Sequence, residues 1–278
     1  MLRKFLLIAF ACATVLTADA QQLKTPAPSP VQTIKQDFAL SSIELTYSRP
    51  SMRGRKIFGD LEPYGRMWRT GANAATRIKF SDDVQVGGVN VKAGEYVIYT
   101  VPGENEWEVI LNKGLNNWGV DGYKTEEDVA RFKVKPMKTD APVETFTMQF
   151  ANVKPTSTEL HMMWERTALA IPIATDIDKK VMAQIDAAMN RDTRPYFAAA
   201  MYYMENGKDL NQALSWFDKA IEQNPKAFWV YHQKANALAK SGKKAEARTT
   251  AQRSIELARE AKNDDYVRLN EKLIASLK

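Results

Sequence analysis

The spacing of apolar residues changes once along this chain, and the change divides its 278 residues into two parts. In the first part apolar and polar residues alternate in short runs, as in residues 42–47 and 76–80, and turn sequences separate the runs. Alternation with a period of two is typical of strands that bury one face. Many short strands at regular spacing favour an antiparallel β-sandwich or barrel-like domain, which we place at residues 37–175.

The second part, residues 176–278, has the spacing of an all-α domain. Four apolar residues recur every four positions, which is one face of a helix: Ile177, Val181, Ile185 and Met189. The predicted fold class is therefore α+β multidomain, a β-sandwich or barrel-like domain followed by an all-α domain.

The helical part also contains a self-similarity of 34 residues. Ala213, Phe217, Ala220 and Ile221 return as Ala247, Ala251, Ser254 and Ile255. Pro225 lies between the two units. This pattern resembles the tetratricopeptide repeat, a pair of stacked helices. We expect about two repeats, with flanking helices covering their open ends; a generic helical bundle is the alternative. Stacked repeats form a groove that holds peptides or proteins, so a protein partner is implied.

The first twenty residues have the composition of an export signal. Arg3 and Lys4 precede an apolar run of twelve residues, and small residues lead to Ala20. The run is too short to span a bilayer, which needs about 20 residues. We predict cleavage near Ala20, a periplasmic or extracellular location and no transmembrane segment. A lipid anchor through Cys12 is an alternative, although the residues before it lack the usual Leu.

Residues 21–36 are polar and contain Pro26, Pro28 and Pro30, which predicts a Pro-rich spacer. Cys12 is the only cysteine and there are two histidines, so we expect no metal site, no cofactor and no thiol chemistry in the mature protein. The net charge is +6. This positive charge favours an anionic partner. For an exported protein we expect anionic sugars, peptidoglycan or lipid headgroups and not nucleic acid.

The segment of residues 48–73 combines glycine, arginine and aromatic residues. From Arg49 to Arg69 it holds six basic residues and two acidic ones. Arginine matches carboxylate and phosphate groups, and aromatic faces suit sugars. We therefore predict an anionic or glycan-like ligand at this segment, with Trp118 from a second loop. The candidate contacts are Arg53, Arg55, Lys56, Trp68, Arg69, Asn73 and Trp118.

A structural interpretation of the same residues stays open. Arginine side chains can pair with carboxylates at the end of a sandwich, and Trp68 or Trp118 can simply close a core.

The sequence from Arg53 to Asn73 reads RGRKIFGDLEPYGRMWRTGAN, and AGEY at residues 93–96 and NNWG at residues 116–119 follow it. These motifs resemble the domain of unknown function 2911 family over roughly residues 37–175. The resemblance implies an exported bacterial domain rich in β-structure, in some members followed by helical repeats. It implies no established activity.

We assign no catalytic residue. The main hypothesis is a non-enzymatic binding or scaffold protein of the bacterial cell envelope. The alternative is an exported hydrolase that uses Asp60, Glu62 or His161 as acid or base. His161 in an apolar run and His232 on a helix are interpreted as packing residues.

Overall fold

The computed structural model describes residues 25–191 and 193–277, and the chain divides into two compact units between Thr175 and Asp176. The first unit consists of strands and the second of helices, which confirms the predicted fold class. The predicted export signal of residues 1–20, which includes Cys12, lies outside the described residues. None of the described helices is long and apolar enough to cross a membrane.

The first unit is built from two antiparallel sheets. The strands in chain order are β1 (Val31–Phe38), β2 (Ser41–Ser48), β3 (Thr76–Phe80), β4 (Val84–Val86), β5 (Val89–Val91), β6 (Gly94–Val101), β7 (Trp107–Asn112), β8 (Asp128–Val134), β9 (Met137–Ala151) and β10 (Ser157–Ala174). One sheet has the order β1-β2-β3-β6-β7-β8, and the other has the order β5-β4-β10-β9.

One hydrophobic core lies between the two sheets, as in a β-sandwich. Alternation along the strands points every second side chain inward, and the centre of the core is aromatic. Trp107 from the six-stranded sheet and Trp164 from the four-stranded sheet both contact Phe58, which the 48–73 segment contributes. The segment therefore reaches into the core as well as covering the surface.

Strand β1 corrects the predicted spacer. It begins at Val31, so residues 31–36 belong to the sheet and only the proline-containing part precedes it. All eight residues of β1 pair with β2, but only Phe38 is buried. Before Phe38 one face of β1 is only half-buried and the other is exposed, so the strand lacks the strong apolar alternation by which strands are recognised. Backbone hydrogen bonds to β2 hold it at the sheet edge.

Strand β10 has an interruption in its inward–outward alternation near its middle. It is continuous from Ser157 to Ala174, with an irregular register against β9 around Glu165. Glu165 has φ +56°, a left-handed conformation. The interruption in the alternation is therefore a β-bulge and not a turn.

The second unit contains six helices. They are α1 (Asp178–Met189), α2 (Tyr196–Glu205), α3 (Leu210–Gln223), α4 (Phe228–Lys240), α5 (Lys244–Glu260) and α6 (Asp264–Ser276). The pairs α2–α3 and α4–α5 correspond to the two repeats. Of the eight repeated positions, seven are buried and Ile221 is half-buried. The periodicity thus marks the face on which the helices pack.

A buried hydrogen-bond network joins α4, α5 and α6. His232 Nδ1 lies 2.9 Å from Asn270 Oδ1, and Asn236 Nδ2 lies 3.1 Å from His232 Nε2. Because an amide nitrogen only donates, Nε2 accepts and the Nδ1 hydrogen goes to Asn270. Asn270 Nδ2 then donates to Ser254 Oγ at 2.9 Å, and that hydroxyl donates to the Phe228 carbonyl at 2.7 Å. His232 is a packing residue, as predicted.

Candidate functional site

The predicted ligand contacts do not form one cluster, and Trp68 shows why. Trp68 pairs with Thr100 through two backbone hydrogen bonds of 2.7 and 3.0 Å, so the chain here behaves as a short extra strand. Alternation then sends Trp68 inward, where 3% of its surface is exposed and Nε1 donates to the Gly71 carbonyl. The assignment of Trp68 as a ligand contact was wrong, because its indole closes the core.

Two of the predicted arginines bind their own chain. Arg55 donates from Nε to the Met52 carbonyl at 2.9 Å and from Nη2 to the Ser51 carbonyl at 2.7 Å. The backbone N–H of Arg53 donates to Glu144 Oε1 at 2.9 Å. Lys56 is exposed, and within the described part of the chain its side chain has no hydrogen bond or ion pair. No described hydrogen bond or ion pair joins the side chains of these three residues to Arg69.

The 48–73 segment also holds the proline-containing N-terminal segment. Three consecutive carbonyls, those of residues 28–30, accept in turn from Arg53 Nη2 at 3.4 Å, Asn73 Nδ2 at 3.4 Å and the Arg49 N–H at 2.9 Å. Residues 28 and 30 are prolines without an N–H, so their carbonyls are the backbone groups available for bonding. Arg53 and Asn73 are thus used partly inside the molecule.

Arg69 lies against the loop that carries Trp118, on the outer face of the six-stranded sheet. Arg69 follows Trp68 and therefore points outward, where Nη1 donates to the Asn73 carbonyl at 3.0 Å. Its guanidinium packs on Gly119: a Cβ built there would lie 3.1 Å from Nη1. Gly119 has φ +67°, so the loop uses glycine both for its turn and for this close approach. The neighbouring Trp118 is 64% exposed.

The loop that carries Trp118 is fastened to the sheet on both sides of its tip. A small second core of β6 and β7 side chains takes up Leu115 and Tyr123 from this loop. Arg77 donates to the Leu115 carbonyl, and Asn117 Nδ2 lies 3.3 Å from the Tyr99 hydroxyl. The tip therefore presents Trp118 from a held base rather than from a free loop.

The charge of Glu62 interacts with that of Arg69. Burial raises the pKa of the Glu62 carboxyl to about 7, and the positive charge of Arg69 opposes that rise. Among the described residues the carboxylate has no hydrogen bond or ion pair. We call Arg69, Asn73 and Trp118 the outer surface site.

Glu62 makes a definite contribution to the pH dependence of folding. Its pKa is raised above the unfolded value, so the folded state binds the proton more tightly and stability falls as pH rises from about 4.5 to 7. Glu62→Gln should remove this slope and gain about 1–2 kcal/mol over the native protein at pH 8, since solvent screens a partly exposed carboxylate. Urea unfolding at several pH values measures it. Glu126→Gln, at an exposed carboxylate, is the control, and an unchanged slope in Glu62→Gln would contradict the assignment.

A second concave feature was not predicted. It is a cleft of about 340 Å³ at one end of the sandwich, and we call it the aromatic cleft. It is lined by Phe58, Tyr64, residues 103–105, Trp107, residues 135–138 and Thr167. These residues come from separate parts of the chain, so no local sequence motif predicts the cleft.

Comparison with known families agrees with this architecture. The model of the family described as "Protein of unknown function (DUF2911)" matches residues 29–173, about half of the chain. The chain belongs to the DUF2911 family. A tetratricopeptide repeat model matches residues 216–249, which confirms both the family and the order of domains expected from the sequence. A comparison with curated proteins gives no match.

The acid–base residues considered for a hydrolase lie on different elements of the DUF2911 domain, His161 on β10 and Asp60 and Glu62 in the 48–73 segment. His161 Nε2 lies 2.8 Å from Glu159 Oε2 on the same strand, and the hydrogen bond lowers the pKa of that carboxyl. Asp60 is exposed. No described contact joins His161 to Asp60 or Glu62. Within the described residues, no group of three or more His, Cys, Asp and Glu side chains is placed to hold a metal ion.

Proposed function

We propose that this protein is an exported, non-enzymatic binding protein of the bacterial cell envelope. Its β domain binds an anionic or glycan-like ligand at the outer surface site, and its helical domain binds a protein partner. The family resemblance and the N-terminal sequence support export. The repeat supports a protein-interaction role, since stacked helices of this type expose a surface for partner segments.

The observation that carries the ligand proposal is the position of Trp118. Trp118 exposes 64% of its surface to solvent, which is unusual for so large an aromatic side chain. Hydrogen bonds hold the loop that carries it to the sheet. Arg69 lies directly against that loop and supplies a cation. An exposed aromatic plane beside a guanidinium suits a ligand with an apolar ring face and a negative group.

On the helical domain the exposed apolar side chains support the second half of the proposal. Trp229 on α4 is 37% exposed, and Leu269 on α6 is 47% exposed. Helix α4 is the first helix of the second repeat, and α6 follows that repeat. The buried repeated positions lie on the second helices of the two repeats, α3 and α5.

A thermal-shift screen against anionic metabolites, envelope glycans and peptides tests the ligand site. A ligand that binds the folded state raises the melting temperature. Trp118→Ala and Arg69→Ala should each weaken binding at least tenfold, because one removes the aromatic plane and the other the cation.

Lys56→Ala is the matched control. It removes the same charge from the same segment at an exposed side chain without described partners. The control should bind like the native protein. A ligand whose shift survives both Trp118→Ala and Arg69→Ala would place the site elsewhere.

A further inference from the structure

The aromatic cleft has a floor of buried aromatic side chains and one wall formed by a partly exposed aromatic side chain. Phe58 and Trp107, both buried, pack edge to face at 4.7 Å and form the floor. Tyr64 forms a wall and is 41% exposed. A volume of about 340 Å³ falls at the lower end of the range of small-molecule sites, about 300 to 1,000 Å³.

Tyr64 is held in place from two directions. Its ring lies on Gly59, where a Cβ would come within 2.7 Å of Tyr64 Cε2. Gly59 has φ +83°, so both the turn and the ring contact require glycine. The next residue, Gly65, donates its N–H to the Pro102 carbonyl at 2.8 Å, which ties this part of the chain to the β6–β7 turn. The aromatic wall is therefore preorganised.

The backbone behind the cleft is strained at one residue. The bulge at Glu165 turns its carboxylate toward the 48–73 segment, where Oε2 accepts from the N–H groups of Ile57 and Phe58, each at 3.3 Å. A left-handed non-glycine residue at a bulge costs free energy and is found most often beside functional sites. Here it fixes Phe58 and sets Thr167, two residues later, on the cleft wall.

The cleft is lined by two cations and one anion. Lys135 and Lys138 lie on one side, and among the described residues neither side chain has a hydrogen bond or ion pair. Lys138 stands opposite Thr167 in the register of β9 and β10. Glu104 and Asn105 lie in the turn between β6 and β7. The lining thus carries a net charge of about +1 together with neutral hydrogen-bonding groups.

We propose that the aromatic cleft binds a saccharide that carries a carboxylate, at a site separate from the outer surface site. The apolar face of a sugar ring lies on Tyr64. The two lysines donate to the carboxylate, and Asn105, Thr167 and Glu104 bind hydroxyl groups. Glu104 also disfavours ligands with a dense negative charge, such as phosphates.

Calorimetric titration of the purified full chain with a galacturonic acid trimer tests this site. The trimer should bind, whereas the matching neutral galactose trimer and inorganic phosphate should bind at least tenfold more weakly. Lys135→Gln combined with Lys138→Gln should weaken binding of the acidic trimer at least tenfold, and Tyr64→Ala should do the same.

Lys133→Gln is the control, because Lys133 is a neighbouring exposed lysine that pairs with Glu106 outside the cleft. It should bind like the native protein. Absence of binding to the folded protein, or equal binding by the double lysine variant, overturns the proposal. Loss of binding in Trp118→Ala with no effect of the double variant would assign the acidic trimer to the outer surface site instead.

Discussion

Trp68→Ala should lower the free energy of unfolding of the β domain by about 3–5 kcal/mol, the usual cost of removing a large aromatic side chain from a core. The indole lies 5.1 Å from the Phe146 ring and 5.8 Å from the Trp164 ring, measured between centroids. The substitution also leaves the Gly71 carbonyl without its donor. Native-state hydrogen exchange on peptides from β6 and β7 measures the loss.

Trp118→Ala is the matched comparison for this prediction. It removes the same side chain from a position that is mostly exposed, so stability should change by no more than about 0.5 kcal/mol. If both substitutions destabilised the β domain equally, Trp118 would be a packing residue and the outer surface site would lose its aromatic group.

Asn270→Ala should lower the stability of the helical domain by about 2–4 kcal/mol. Asn270 is fully buried, and its amide satisfies both His232 and Ser254. Removing it leaves a buried imidazole N–H without an acceptor and opens a cavity, and each effect costs about 1–3 kcal/mol. Hydrogen exchange on peptides from α4, α5 and α6 should show the loss.

Peptides from the β domain serve as an internal reference in the same Asn270→Ala experiment. Asn211→Ala, at an exposed position on α3, should leave all peptides unchanged. Equal protection of α4 to α6 in Asn270→Ala would mean that the network does not stabilise these helices.

The elements that bury one face were predictable from the sequence. Strands such as β3 and helices such as α3 carry a clear apolar period, because the core selects apolar residues at each inward position. Before Phe38 one face of strand β1 is only half-buried and mostly polar, so the sequence of residues 31–36 resembled a spacer. Its place in the sheet depends on pairing with β2, which a local pattern does not record.

The candidate site was predictable only in part, because charged residues that are close in the sequence need not be close in the folded structure. The 48–73 segment concentrates arginines, but backbone alternation and local carbonyls distribute them to different surroundings. Arg69 lies against Gly119, the residue after Trp118, although 49 residues separate Arg69 from Trp118 in the sequence. The aromatic cleft combines residues from several turns, and only the folded chain brings Tyr64 and Lys138 to one cavity.

Strand β1 also protects the edge of the six-stranded sheet. It covers the edge of β2, which carries the buried residues Ile43, Leu45 and Tyr47. An uncovered apolar edge is a template for pairing with another chain, whereas a polar edge strand bearing Lys35 is a poor one. A fragment that begins at residue 37, the boundary suggested by the sequence alone, would lack most of β1. The edge of β2 would then be exposed and could pair with another chain. Dissection of the β domain therefore has to start before Val31.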